Sequence, residues 1–240
     1  MCNYTGQTKQ GSLGNPGFDT VFCSLSKWDE ARIVVLNAAD KRASQLPDEK
    51  VKNITLITGG ARSGKSTLAE RLGVQSNLPV HYLATMTAID DDAEQTARIE
   101  RHRSRRPASW KTIEANFDLA QQIRALPAGR GLVIVDCLSL FVSNLMLGPN
   151  LSRLNEQVSP YAHDAEIEAA VDELSEAILS RADKKWVIVT NEVGWDVVPE
   201  TALGRAFRDF LGISNQKFAR IADEVYLMCC GIPLKIKPQG

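Results

Sequence analysis

The sequence has no apolar run long enough to cross a membrane and no strong excess of charge. No segment approaches the ~20 consecutive apolar residues of a transmembrane helix, and the N-terminus lacks the basic and apolar regions of a secretory signal. The formal net charge is −1, which gives no electrostatic reason to expect nucleic acid or an anionic membrane as partner. We therefore expect no membrane span and no nucleic-acid partner.

Cysteines are also few, and they are scattered along the chain. The five cysteines form no C-x-x-C pair and no metal-ligand spacing. Such a set fits a reducing compartment, with Cys137 and Cys229 as small core residues. The cytoplasm is therefore the expected location.

A phosphate-binding loop is indicated by the octapeptide Gly59-Gly60-Ala61-Arg62-Ser63-Gly64-Lys65-Ser66. An apolar, β-branched run precedes it and a helical pattern follows it, which is the context that this motif needs. Its glycines allow backbone N–H groups to converge on phosphate oxygens, and the following helix directs its positive end at the same anion. Lys65 would reach the β- and γ-phosphates, and Ser66 would place its hydroxyl on Mg²⁺. The sequence thus predicts a nucleoside triphosphate site.

Around this loop the chain alternates between strand and helix patterns. This alternation predicts an α/β fold with a mostly parallel central sheet, helices on both faces and a C-terminal hairpin. The hairpin turn is expected at Gly231-Ile232-Pro233, and the last helix should be interrupted near Gly212. Strands are predicted over 54–58, 80–85, 110–114, 131–136, 185–190, 224–228 and 234–237, and helices over 67–72, 90–102, 117–126, 137–147, 165–181 and 201–222.

The first part of the chain differs from this pattern. Residues 1–15 are rich in Gly, Gln and Asn, and we expect them to be disordered. We interpret residues 1–52 as an N-terminal extension and residues 53–240 as the P-loop domain. A start site assigned too far upstream would give the same pattern.

Asp136 ends the apolar run Gly131–Val135, downstream of the phosphate loop, where the metal-binding Walker-B carboxylate of such a site belongs. It would hold Mg²⁺ together with Ser66. The alternative is an N-cap role for the following helix.

Five arginines lie within residues 98–106, and His102 lies among them. On a helix, Arg98, His102, Arg105 and Arg106 would gather on one side, where arginines could clamp phosphates. The surrounding positive charge favours a neutral imidazole, which is a nucleophile. A solvated surface patch with a structural histidine is the alternative on the residues alone.

Several separated blocks resemble the bifunctional adenosylcobinamide kinase/adenosylcobinamide-phosphate guanylyltransferase family. The resemblance covers residues 54–237 and includes the loop at 58–66 and Tyr82-Leu83-Ala84-Thr85. Its most diagnostic block is Arg98-Ile99-x-x-His102-Arg103-x-x-Arg106-Pro107-x-x-Trp110-x-Thr112-x-Glu114. Thr190-Asn191-Glu192-Val193-Gly194, Val198-Pro199 and Phe207-Arg208-Asp209-x-x-Gly212-x-x-Asn215-Gln216 complete the set.

The resemblance implies two reactions of cobalamin biosynthesis. A nucleoside triphosphate, ATP or GTP, phosphorylates the aminopropanol hydroxyl of adenosylcobinamide, and GTP then gives GMP to that phosphate. In such enzymes a histidine of the Arg-Ile-x-x-His block carries GMP covalently, which here implies His102 with Lys65 and the arginines stabilising the leaving pyrophosphate. By the same resemblance the guanine nucleotide would contact Ala84, Thr85, Met86, Arg103, Ser104, Arg105, Arg106 and Glu114.

The resemblance also implies a RecA-like P-loop NTPase domain and a homotrimer with the corrinoid bound between subunits. Some relatives carry Glu where this chain has Asp136, and residues 1–52 have no counterpart. Alternatives are a P-loop small-molecule kinase without guanylyl transfer, a GTP-binding regulatory protein, and an enzyme that keeps guanylyl transfer with a weak kinase step.

Overall fold

The computed structural model describes residues 53–86, 100, 103–104, 106–149, 161 and 163–237. The expectations for residues 1–52, for most of the predicted helix over 90–102, and for His102 and Arg105 lie outside these ranges. Within the described part of the chain, no helix is long and apolar enough to cross a membrane.

Seven strands within the described residues form one sheet, in the order β3-β2-β4-β5-β1-β6-β7. Strands β1 to β6 all run parallel to one another, and β7 runs antiparallel to β6. The strands are β1 Ile54–Gly59, β2 Val80–Ala84, β3 Lys111–Glu114, β4 Gly131–Asp136, β5 Lys184–Val189, β6 Glu224–Cys229 and β7 Ile232–Lys237. This topology confirms the predicted α/β class, the mostly parallel sheet and the C-terminal hairpin.

Helices cover both faces of the sheet. Successive strand residues point to opposite sides, so the apolar strands bury side chains against helices on each face. On β4, Ile134 packs with Leu68 of the helix after the phosphate loop, whereas Val133 and Val135 pack with Phe141 on the other face. The described helices are α1 Lys65–Gln75, α2 Leu119–Ala125, α3 Leu138–Leu147, α4 Asp164–Leu179 and α5 Ala202–Ile221. The continuous apolar runs in β4 and β5 thus reflect burial on two sides.

Two local predictions were wrong. Helix α5 continues through Gly212, because the apolar face made by Phe210, Leu211 and Phe218 is buried and outweighs the ~1 kcal/mol helix cost of one glycine. The hairpin turn lies at Cys230-Gly231, where both residues have positive φ (51° and 84°), as a two-residue type I′ turn requires. Pro233 instead lies in β7, an edge strand where a missing N–H is tolerated.

One cysteine prediction also fails. Cys137 is buried, as expected, but Cys229 is exposed at the end of β6.

The parallel arrangement brings five chain segments to one edge of the sheet. The phosphate loop follows β1, Thr85 follows β2, Glu114 and Asp136 end β3 and β4, and Asn191 follows β5. Ligands of open α/β sheets bind outside this carboxyl edge, so the fold gathers the predicted site residues there.

At the opposite, amino end of the sheet lies His81 in β2, which is 8% exposed. Neither ring nitrogen has a hydrogen-bond partner among the described residues. Burial lowers the pKa of His81 below its ordinary value of 6.5, and the positive charges of Lys111, Lys184 and Arg181 lower it further. The folded protein therefore holds this imidazole neutral.

This geometry predicts a loss of stability in mild acid. As the pH falls through 6.5, the unfolded chain gains a proton on His81 that the folded chain resists, so the free energy of unfolding decreases. Urea unfolding between about pH 7 and pH 5 should show a smaller decrease for His81→Leu than for the wild type. Equal slopes for His81→Leu and wild type would contradict the prediction.

Candidate functional site

A cavity of about 740 Å³ opens at the carboxyl edge of the sheet. It joins the phosphate loop to side chains from β2, β3, β4 and the segment that precedes β3. Of the residues predicted from sequence, the cavity is lined by Ala61, Arg62, Ser63, Gly64, Lys65, Ser66, Ala84, Met86, Arg103, Arg106, Glu114 and Asp136. Residues far apart in the sequence thus share one concave surface.

Two glycines of the loop occupy positions that a side chain would disturb. Gly59 has φ +142°, and a Cβ there would lie 2.5 Å from the carbonyl oxygen of Met228 on β6. Gly64 has φ +99° and immediately precedes α1, with the Cα of Gly231 3.3 Å from where its Cβ would lie. The loop is therefore packed against the β6–β7 hairpin, and the Gly231 N–H also donates to the Ser63 carbonyl at 3.0 Å.

Lys65 opens α1 and is 7% exposed. Its ammonium donates to the carbonyl oxygens of Gly59 at 2.9 Å and Gly60 at 2.6 Å. Burial lowers the pKa of Lys65 from its ordinary value, and the neighbouring Cys137 and Asp136 oppose that shift. The loop carbonyls thus hold a cation at the cavity wall, at the positive end of α1.

Ser63 also lies on the cavity wall, and its Oγ is buried without a hydrogen-bond partner among the described residues. A buried hydroxyl without a partner costs free energy unless a ligand satisfies it. An anion seated on this loop would accept that hydrogen bond.

Asp136 lines the cavity at the end of β4, and one of its carboxylate oxygens accepts a hydrogen bond from the Tyr82 hydroxyl. The helix that follows has Cys137 at its N-cap, and no side chain caps it. The structure therefore does not support the alternative prediction that Asp136 is the N-cap of this helix.

Tyr82 connects Asp136 to the arginine segment. The guanidinium carbon of Arg106 lies 3.5 Å from the centre of the Tyr82 ring, a cation–π contact. Trp110 stacks on the same ring with centroids 6.4 Å apart, and Arg106 lies 3.4 Å from the Thr112 hydroxyl. Tyr82 is 1% exposed, so a buried phenol fixes both an acidic and a basic wall of the cavity. No role for Tyr82 was predicted from the sequence.

Thr85 does not line the cavity, although it was predicted to contact nucleotide. It is fully buried, and its hydroxyl bonds both the N–H and the carbonyl of Cys137 at 2.7 and 2.8 Å. Asn144 of α3 donates to the Thr85 carbonyl at 2.8 Å. Thr85 thus joins the end of β2 to the start of α3.

The basic segment is described only in part. Arg103 lies 3.4 Å from Glu114, and both side chains are largely exposed at the cavity. Ser104 is exposed and does not line the cavity. His102 and Arg105 lie outside the described residues.

Several lining residues were not predicted, among them Asn191 after β5. Its amide donates to Ser139 at 2.7 Å, and its carbonyl accepts from Asn215 of α5 at 2.9 Å. Two of the sequence blocks, 190–194 and 207–216, therefore meet at this bond. The sequence could have indicated these two asparagines, since both belong to blocks that carry the family resemblance. The other unpredicted lining residues are Thr67, Glu100, Thr112, Cys137, Leu140 and Val189.

The loop, the carboxylate at the end of β4 and the cavity between them define a P-loop nucleotide-binding α/β protein. A family model described as cobinamide kinase / cobinamide phosphate guanyltransferase matches residues 55–236. The chain belongs to this family. The family confirms the kinase and guanylyltransferase function, and with it the transferase class, expected from the sequence.

Individual relatives are similar to this chain over nearly their whole length. The bifunctional adenosylcobalamin biosynthesis protein CobU of Escherichia coli (strain K12) is 41% identical over 182 residues, which are 76% of this chain and 98% of that protein. The bifunctional adenosylcobalamin biosynthesis protein CobP of Pseudomonas aeruginosa is 39% identical over 182 residues, which are 76% of this chain and 96% of that protein. Among solved structures, the RadB recombinase aligns over 73% of each chain with a TM-score of 0.38 and 15% identity.

The contrast between two adjacent glycines gives a test of the loop geometry. Gly59→Ala places a Cβ 2.5 Å from backbone at positive φ, whereas a Cβ on Gly60 meets nothing within 4 Å. Gly59→Ala should lower the free energy of unfolding by about 1–3 kcal/mol and abolish binding of a fluorescent GTP analogue. Gly60→Ala should leave the free energy of unfolding close to the wild-type value. Urea titrations and fluorescence anisotropy measure both quantities, and equal behaviour of the two variants would contradict this packing.

Proposed function

We propose that the cavity binds a nucleoside triphosphate with its phosphates on the loop 59–66 and its guanine end near Met86 and Glu114. The observation that supports this placement most directly is the continuous cavity wall from Lys65 through Arg106 to Glu114. Its volume, about 740 Å³, lies in the range of small-molecule sites. Arg103 and Arg106 would lie along the phosphates, where arginine forks bind bidentately.

Glu114 would provide guanine selectivity. A carboxylate accepts hydrogen bonds, and guanine presents adjacent N–H donors that adenine lacks. In the structure this carboxylate faces Arg103 at 3.4 Å and is largely exposed, so it is open to a nucleotide. The first reaction, in which the γ-phosphoryl group passes to the aminopropanol hydroxyl, would use the same phosphate loop with ATP or GTP.

The second reaction would proceed through two displacements at the α-phosphorus. An imidazole nitrogen of His102 attacks the α-phosphorus of GTP, the bond to the bridging oxygen breaks, and pyrophosphate leaves with that oxygen. An oxygen of cobinamide phosphate then attacks the same phosphorus and breaks the phosphorus–nitrogen bond, which gives adenosylcobinamide-GDP. Lys65 and Arg106 line the cavity where charge develops on the leaving group. The role of His102 itself rests on the sequence.

Asp136 and Ser66 would hold Mg²⁺. Both line the cavity, and both offer the hard oxygen ligands that Mg²⁺ prefers. Tyr82 donates to one carboxylate oxygen of Asp136, which fixes the orientation of the other. When bound there, Mg²⁺ would neutralise phosphate charge.

We also propose that the chain assembles as a homotrimer, as its sequence resemblance implies. Ile232, Leu234 and Ile236 alternate along edge strand β7, so they share one face of the sheet, and each is at least 50% exposed. Such a stripe on the last strand of the sheet formed by the described residues favours cover by a second copy. A cytoplasmic location stays a prediction from the scattered cysteines.

A covalent GMP adduct tests the transferase mechanism. Wild-type protein incubated with Mg²⁺ and GTP should gain a GMP-sized mass that is acid-labile, because a phosphoramidate hydrolyses in acid. His102→Ala should gain none, and His163→Ala, at the start of α4, should gain it normally. Intact-protein mass spectrometry measures all three. If wild-type protein binds GTP but forms no adduct, the guanylyl-histidine mechanism is wrong.

Tyr82→Phe tests the metal site separately. The variant keeps the ring beneath Arg106 and removes only the hydroxyl that holds Asp136. The Mg²⁺ concentration that half-saturates binding of a fluorescent GTP analogue should rise about three- to ten-fold, as for loss of one charge-assisted hydrogen bond. Binding without Mg²⁺ should be unchanged.

The matched control is Tyr226→Phe, which removes a hydroxyl bonded to Glu224 on β6. It should leave the Mg²⁺ dependence unaltered. The same Mg²⁺ dependence in Tyr82→Phe as in wild type would separate Tyr82 from the metal site.

A further inference from the structure

The connection between β5 and α5, residues 190–201, exposes a cluster of large apolar side chains. Trp195 is 77% exposed, Val197 84% and Val198 63%. We call these three residues the Trp195 patch. Exposed tryptophan together with exposed valines marks a surface that binds another molecule.

The segment that presents the Trp195 patch is anchored on both sides. Before the patch, the Glu192 N–H donates to the Gly59 carbonyl at 3.1 Å. After it, the Arg205 guanidinium donates to the carbonyls of Pro199 at 2.9 Å and Glu200 at 2.7 Å. The backbone on either side of the Trp195 patch is therefore fixed by hydrogen bonds, which limits the backbone entropy lost when a ligand binds.

The segment that carries the Trp195 patch reaches the nucleotide cavity at its start. Asn191 lines that cavity, and the Glu192 N–H is bonded to the first glycine of the phosphate loop. An acceptor whose hydroxyl reaches the terminal phosphate must leave its remaining bulk outside the loop, and the segment 190–201 is bonded to that loop through Glu192. The position thus fits the second substrate and not the nucleotide.

We propose that the Trp195 patch binds the corrin macrocycle of the corrinoid substrate, an inference that rests on the kinase and guanylyltransferase activity of the family. A corrin is a broad ring with apolar faces, and an indole offers a large, flat apolar contact. The segment also carries Glu192, Asp196 and Glu200, whose negative charge complements the positive charge of an alkylated cobalt(III) corrin.

The other exposed apolar surface noted above, the stripe on β7, fits a different occupant. Its residues follow the length of an edge strand and do not line the cavity. A long strand edge suits a second copy of the chain, whereas a short patch on a segment bonded to the phosphate loop suits an acceptor substrate.

Direct binding of adenosylcobinamide tests the proposal. Equilibrium dialysis read by corrin absorbance should give a Kd about ten-fold higher for Trp195→Ala than for wild type, and a value within about three-fold of wild type for Trp195→Phe. The KM for corrinoid should rise in parallel while kcat at saturation is retained, since uniform binding is lost. The GMP adduct with GTP alone, a half-reaction without corrinoid, should still form.

Leu179→Ala is the matched control. Leu179 ends α4, just before the amino end of β5, and is 54% exposed. This variant should bind adenosylcobinamide as wild type does. Val197→Asn, which removes a second apolar contact, should also raise the Kd and serves if Trp195→Ala fails to fold.

Two results would overturn the proposal. The first is an unchanged Kd in both Trp195→Ala and Val197→Asn. The second is a lower mass by light scattering with unchanged corrinoid affinity, which would assign the Trp195 patch to a contact between copies. Failure of the proposed mechanism is distinguishable, because wild type would then form no GMP adduct while the binding comparison still applies.

Discussion

A buried ammonium organises the phosphate loop. Lys65 is almost wholly removed from solvent, and a buried charge is tolerated only when polar groups surround it. The Gly59 and Gly60 carbonyls supply those contacts, so the loop must curve back over the first turn of α1. That curvature in turn requires positive φ at Gly59 and Gly64. Burial of the Lys65 ammonium therefore determines the shape of the loop, and that shape determines where glycine is needed. A bound phosphate would replace part of the contact that the two carbonyls make with the ammonium.

The second determinant of the site is the register of the parallel sheet. Ala84 pairs with both Glu114 and Asp136, and Asp136 pairs with Val189. These pairings place the carboxylates of β3 and β4 at the same level beside the loop. Tyr82 lies two residues earlier on β2 and is close enough to hold Asp136 while its ring supports Arg106. The buried Tyr82 side chain thus positions both the Asp136 carboxylate and the Arg106 guanidinium.

Sequence patterns were sufficient for the strands and helices among the described residues and for most of the residues that line the cavity. The loop motif and the apolar runs have local causes, namely backbone freedom at glycine and burial on two faces, so they could be read directly. The roles of Thr85 and Tyr82 could not be predicted from the sequence. Their partners Cys137 and Asp136 are more than fifty residues away, and strand register alone brings them into contact. The Gly212 error arose where tertiary packing outweighed a local preference. The turn at Cys230-Gly231 was missed because Pro233 is itself a common turn residue, although here it lies in an edge strand. His102 stays a prediction.

The hairpin of β6 and β7 has a consequence for how the protein is made. It contributes no side chain to the cavity wall, yet the Gly231 N–H and the Met228 backbone lie directly against the phosphate loop. During synthesis the loop leaves the ribosome well before the turn that supports it, because the loop precedes the turn by most of the domain. A nascent chain can hold the whole phosphate-binding motif and still lack the surface against which it is shaped. Nucleotide affinity in this protein therefore depends on synthesis having passed the β6–β7 hairpin.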